Sequence, residues 1–133
     1  MTRSATAPVV VVDDDVRVGE SLKALLESAG FDASSFDSAV ALLQSGMLAS
    51  ASCLIADVHM PEIDGFELYR RAKQERADLP VIFISGRYEE HARQFAVRVG
   101  APFFDKPFGA DDLLRAVHAA LTPRGGGRQV RNE

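Results

Sequence analysis

The sequence predicts an α/β domain built on a doubly wound parallel sheet, and three observations carry that reading. Unbroken apolar runs recur at Pro8 to Val12, Cys53 to Ala56 and Pro80 to Ile84, the pattern of strands covered on both faces. Between them, apolar residues fall at helical spacing. Only a few residues join each strand to the next helix, so helices are expected on both sides of one parallel sheet.

Taken in order, the first strand covers Pro8 to Val12 and ends in three aspartates. Val18, Leu22, Leu25, Leu26 and Ala29 then mark one helix face, with Gly30 as the stop. Phe31 to Phe36 is a weaker strand and Ala39 to Leu43 a short helix closed near Gly46. The third strand ends on Asp57. A loop with Met60-Pro61 and Asp64-Gly65 leads into a polar helix from about Phe66 to Gln74, where Gly65 is expected to serve a tight turn. The fourth strand ends on Ser85-Gly86. Ala92, Phe95, Ala96 and Val99 mark the next helix, stopped at Gly100. Phe103-Phe104 forms a short fifth strand before Lys106-Pro107, and Leu113, Val117 and Leu121 lie on the last helix, with Asp111 and Asp112 near its positive end.

Length and composition set the outer limits. A chain of 133 residues is expected to be one domain, large enough to bury roughly two-thirds of its unfolded surface. Residues 8–121 are read as that domain, residues 1–7 as a disordered N-terminus and 122–133 as a disordered tail or linker stub. A net charge of −4 argues against a nucleic-acid-binding surface. The single cysteine, Cys53, excludes an internal disulfide and reads as a small buried hydrophobe, consistent with a reducing cytoplasm. No run approaches the ~20 apolar residues of a membrane span, and no signal-peptide core precedes the first strand.

The polar residues gather where the strands end. In an open parallel sheet, ligands bind beyond the carboxyl ends of the strands. Here those ends carry Asp13-Asp14-Asp15, Asp57, Ser85 and Lys106. Converging carboxylates repel unless a cation lies among them, and an oxygen-rich site suits Mg²⁺, or Mn²⁺ in its place. A carboxylate beside such an ion can attack phosphorus and form an aspartyl phosphate. The ion, a lysine and a hydroxyl then meet the charge on the transferring group.

The strings VVVVDDD, CLIADVHMPEIDGFEL, VIFISG and FFDKPF resemble the motif regions of response-regulator receiver domains of bacterial two-component systems, over about residues 8–121. The wording is closest to receivers that precede LuxR-type helix-turn-helix output domains. The resemblance implies a five-stranded parallel sheet in the order 2-1-3-4-5 with five helices. It also implies that Asp57 is the phosphoacceptor and a metal ligand, that Asp14 is a direct ligand, that Asp13 acts through water, and that the His59 backbone carbonyl is a further ligand. Ser85 and Lys106 would contact the phosphoryl group, and Phe103 would be the switch aromatic. The stretch from Gly100 to Lys106 is one position shorter than the family usually has, which leaves Phe103 and Phe104 both open as that aromatic. His59 and Arg87 stand where the family tunes dephosphorylation. The implied donor is a sensor histidine kinase or a small phosphodonor. The implied output surface runs from about Tyr88 to Leu121, with homodimerisation through it as an optional partner contact. No contact with nucleic acid or membrane is expected of the domain, and its place is the cytoplasm.

Each residue taken singly has a plainer role. Asp15 caps the first helix, Asp57 and Ser85 are strand-end residues, Lys106 is a surface lysine and both phenylalanines are core. Glu89-Glu90 and Arg70-Arg71 are solvated helix faces, and His59, His91 and His118, lacking ligand spacing, face solvent or loops. A receiver-shaped interaction module without phosphorylation would lack Asp57, the acidic pair or Lys106, and all are present. A phosphohydrolase would want a second aspartate where His59 stands, and a nucleotide switch would want a phosphate-binding loop after the first strand. The expectation is therefore a signalling domain and not a turnover enzyme, with no room in this chain for an output domain.

Overall fold

The computed structural model describes residues 7–87 and 89–122. Five parallel strands, β1 (Val9–Val12), β2 (Ala33–Phe36), β3 (Cys53–Asp57), β4 (Val81–Ser85) and β5 (Phe103–Asp105), form one sheet in the order β2-β1-β3-β4-β5. Five α-helices alternate with them: α1 (Val16–Ser28), α2 (Ala39–Ser45), α3 (Gly65–Glu75), α4 (Glu90–Val99) and α5 (Ala110–Leu121), with a 3₁₀ turn at Met47–Ala49. The expected fold is thus the observed one. The expected disorder of 1–7 and 122–133 falls outside the described residues, apart from Ala7 and Thr122. Those two are held: the Ala7 carbonyl accepts from Ser52, and the Thr122 N–H donates to the His118 carbonyl.

The three central strands are buried along their whole length, while β2 and β5 are half-buried edges. Two apolar layers sandwich the sheet. Val10, Val12, Leu54, Ala56 and Phe83 face α2, α3 and α4 through Leu42, Leu68 and Ala96. Val9, Val11, Ile55, Ile82 and Ile84 face α1 and α5 through Leu22, Leu26, Leu113 and Val117. Alternate residues of one strand thus feed opposite layers, so no position can be polar. Cys53 lies in the second layer, where burial pushes its thiol up to about 12 and leaves it inert.

Boundaries shift where backbone groups find other partners. Phe31 was expected in β2, but its N–H closes α1 onto the Leu26 carbonyl, so the ladder starts at Ala33. Ser38 caps α2 through the Ala41 N–H and Gly46 ends it in the left-handed region, giving a longer helix than expected. The 3₁₀ turn was not foreseen. Arg76 Nη1 reaches back to the carbonyls of Leu48, Ala49 and Ala51, a long-range staple with no local signal.

Candidate functional site

Strand register assembles the site. Val12 pairs with Ala56, so the next residues, Asp13 and Asp57, emerge side by side. Asp57 pairs with Ile84, and Ser85 pairs with Asp105, which brings Lys106 alongside through its N–H to the Ser85 carbonyl. Four strand ends therefore converge.

Asp13 is fully buried. Its Oδ1 accepts the Asp15 N–H at 2.8 Å and its Oδ2 lies 2.7 Å from Lys106 Nζ. Asp57, 4% exposed, accepts the His59 N–H at 3.3 Å and stands 3.6 Å from the same ammonium. Asp14 is exposed at the mouth, yet one carboxylate oxygen from each of Asp13, Asp14 and Asp57 lies within 4.8 Å of the others. This all-oxygen set is the chemistry of a hard divalent cation. Asp15 caps α1 through the Arg17 N–H, its plainer reading.

The electrostatics follow from burial. Desolvation, with the neighbouring Asp13 charge, pushes Asp57 up to about 7 against the pull of Lys106. Burial alone would lower the Lys106 ammonium, but the Asp13 and Asp57 carboxylates hold it above its usual value. One cation facing two buried carboxylates and an exposed third leaves the pocket short of positive charge, and a second cation would supply it.

Two expected participants are placed differently from the acidic cluster. Ser85 is buried, and its hydroxyl is engaged in its own turn, donating to the Arg87 carbonyl at 2.8 Å and accepting the Arg87 N–H. Phe103 packs on the α4 side of the sheet, with the Arg93 guanidinium 5.0 Å from its ring centroid. Arg93 also pairs with Asp105. Phe104 points to the opposite layer and meets Phe108. The shortened stretch turns at Ala101-Pro102, whose backbone bonds to Ala96 and Phe83, so strand alternation assigns the α4 face to Phe103 alone.

Sequence reasoning missed three features. Gly65 does not serve a turn: it opens α3, and a Cβ there would lie 2.5 Å from the Asp57 carbonyl oxygen and 2.9 Å from Val58 Cα. Its role is close approach of helix to strand end. Glu89 was read as a solvated face, but it is three-quarters buried and lies between His59 and His91. His118 is exposed, as expected, but also packs edge-on against Phe31, a contact with no local signal. Beside the carboxylates, Asp14, His59, Met60, Pro61, Asp64 and Arg87 line an open cavity of ≈ 370 Å³.

Comparison with known proteins agrees with this fold. The family model for the response regulator receiver domain matches residues 9–118. The response regulator protein TodT of Pseudomonas putida is 39% identical over 114 residues, covering 85% of this chain and 50% of that protein. The transcriptional regulatory protein FixJ of Bradyrhizobium diazoefficiens is 36% identical, covering 85% and 56%. The chain thus spans about half the length of the curated relatives it matches. Among solved structures, a response regulator receiver domain protein from Clostridium thermocellum superposes with a TM-score of 0.77 at 26% identity, covering 86% of this chain and 94% of that one. Chemotaxis protein CheY4 of Vibrio cholerae gives 0.77 at 25%, covering 88% and 100%.

Proposed function

Because the chain belongs to the response regulator receiver domain family, we propose that it is switched by Mg²⁺-dependent phosphoryl transfer to Asp57. The observation that supports this most is the convergence of Asp13, Asp14, Asp57 and Lys106 from three strand ends onto one small volume.

The donor is a phosphohistidine of a sensor histidine kinase, or a small acyl phosphate. An Asp57 carboxylate oxygen attacks phosphorus, the bond from phosphorus to the donor nitrogen or oxygen breaks, and the leaving group keeps that electron pair. The phosphoryl group then resides on Asp57 as a mixed anhydride. Asp13, Asp14, Asp57 and the His59 carbonyl would hold Mg²⁺, or Mn²⁺, Asp13 acting through water, and the ion would supply positive charge against the transferring oxygens. Lys106 already faces Asp57, so its ammonium meets the arriving charge without reorganisation. Ser85 must release the Arg87 carbonyl before its hydroxyl can follow a phosphoryl oxygen.

That exchange would couple the site to the output surface. Moving the Ser85–Arg87 turn would be felt at the neighbouring β5, where Phe103, packed under Arg93, is the proposed responding aromatic. The changed surface is α4, β5 and α5, available to an output domain, a partner or a second copy of the chain. TodT and FixJ are named as regulators, and the half of each that this chain does not span is where an output activity would reside. The domain acts as a signalling element, not as a turnover enzyme, and in the cytoplasm. No described helix is long and apolar enough to cross a membrane.

Incubation with acetyl phosphate and Mg²⁺ should add about 80 Da, one phosphoryl group, to the protein and nothing to Asp57→Asn. Equal labelling of the variant would refute the assignment.

A further inference from the structure

We propose that the end of the sheet opposite the aspartates holds a second recognition site, for a small monocarboxylate of the N-acyl amino acid class. The site lies between the start of β4, the α4–β5 turn and the later turns of α5. It uses none of the residues assigned to phosphoryl transfer and does not rest on that reading.

Three observations carry it. The β4–β5 ladder begins at Phe83 and Phe103, where the Phe83 N–H donates to the Pro102 carbonyl at 2.9 Å. One step earlier, the Val81 N–H and carbonyl point away from β3, whose Leu54 N–H bonds the Pro80 carbonyl instead. Continuing the ladder would need residue 102 to donate to the Val81 carbonyl, and a proline has no N–H. Among the described residues neither polar group of the Val81 backbone has a partner, although Val81 is 5% exposed. Such groups seek a hydrogen bond. Secondly, this strand edge opens into a cavity of ≈ 500 Å³, the size of a small-ligand site. Thirdly, Lys73 lines the same cavity and makes no ion pair among the described residues. Its Nζ donates to the Ala77 carbonyl at 3.3 Å and lies 5.7 Å from the Tyr69 ring centroid.

These features select the ligand's chemistry. An extended residue presents its N–H and its own carbonyl to the same side, so it can exchange two hydrogen bonds with Val81. In an N-acyl amino acid the amide N–H donates to the Val81 carbonyl, and the carboxylate accepts the Val81 N–H. The same carboxylate pairs with the Lys73 ammonium. Its side chain meets Val99, Ala101, Ala116 and Ala120 on the cavity wall. A free amino acid would bring a second ammonium toward Lys73. A polyphosphate would meet Asp78 at the rim, a carboxylate with an 80% exposed side chain that already pairs with Arg76. The plainer alternative is an ordinary surface groove, hydrated at the strand edge, that selects no solute.

The test is a ¹H–¹⁵N NMR titration of the full chain with N-acetyl-L-valine, read at the Val81 amide. The Val81 signal should shift saturably, with a Kd of about 1 mM or tighter. N-acetyl-L-valinamide, which lacks the carboxylate, should bind the unaltered protein about 10-fold more weakly, and Lys73→Met should weaken the acid by a similar factor. Pro102→Ala supplies the missing N–H to the Val81 carbonyl and should weaken the acid about 10-fold as well. The proposal is overturned by any of three results: no saturable shift at Val81 by about 10 mM ligand, equal affinity for the acid and its amide, or shifts confined to the aspartate pocket. Unchanged affinity in a folded Pro102→Ala protein would equally overturn it, by removing Val81 from the site.

Discussion

The Lys106 ammonium lies 2.7 Å from the Asp13 carboxylate, whose side chain has no solvent exposure. Lys106 is thus a structural counter-ion as well as the proposed phosphoryl contact. Lys106→Met removes the partner and leaves two buried carboxylates facing each other, so it should destabilise the metal-free protein by about 3 kcal/mol at neutral pH. Urea denaturation in EDTA measures this. A change under about 0.5 kcal/mol, the range of an exposed pair, would contradict the pairing.

Asp57 supplies a pH dependence with a definite sign. Its folded value, about 7, lies above its ordinary 3.8, so the folded chain binds this proton more tightly than the unfolded one. Its contribution to stability is complete below about pH 4 and is lost progressively as pH rises through 7. Asp57→Asn has no such proton. The variant should therefore gain stability relative to the parent as pH rises from about 4 to 7 in EDTA, reaching about 1–3 kcal/mol. Parallel stability profiles would show that Asp57 is not perturbed.

Gly65→Ala sets two effects against each other. Alanine gains up to about 1 kcal/mol from helix propensity, but its Cβ would sit 2.5 Å from the Asp57 carbonyl oxygen, a backbone atom that cannot swing aside. Overpacking of this kind costs about 1–3 kcal/mol or more, so destabilisation should win, with slower phosphoryl acceptance as Asp57 is displaced. Thermal melts of the variant decide the sign.

Arg76 is predicted to matter for stability alone. Its Nη1 donates to three carbonyls around the 3₁₀ turn and its Nε to Asp78. Arg76→Ala should cost about 2–3 kcal/mol, the scale for charged hydrogen bonds, without changing the extent of labelling by acetyl phosphate. Loss of labelling in a folded variant would give Arg76 a role at the site.

The central strands and the acidic site were legible in the sequence for one physical reason. β1, β3 and β4 are covered on both faces, so Val9–Val12, Cys53–Ala56 and Val81–Ile84 must be apolar, and the first polar residue after each marks the sheet edge. β2, reading Ala-Ser-Ser-Phe at an edge, lacks that constraint and its start was misplaced at Phe31. Long-range contacts left no local trace. Nothing near Arg76 announces the carbonyls of residues 48–51, and nothing in Glu89-Glu90 shows that one carboxylate faces His59. Gly65 was noticed for the wrong property, since a close approach and a turn both call for glycine. Which of Phe103 and Phe104 faces α4 was also hidden, because only strand alternation in the sheet separates the two rings.

The central claim is that Asp57 accepts the phosphoryl group, and peptide mass mapping after treatment with acetyl phosphate and Mg²⁺ tests it most directly. The account predicts a hydroxylamine-labile gain of about 80 Da confined to the peptide bearing Asp57, abolished by EDTA. A folded, untagged protein that gains no mass, or gains it on any other peptide, would contradict it.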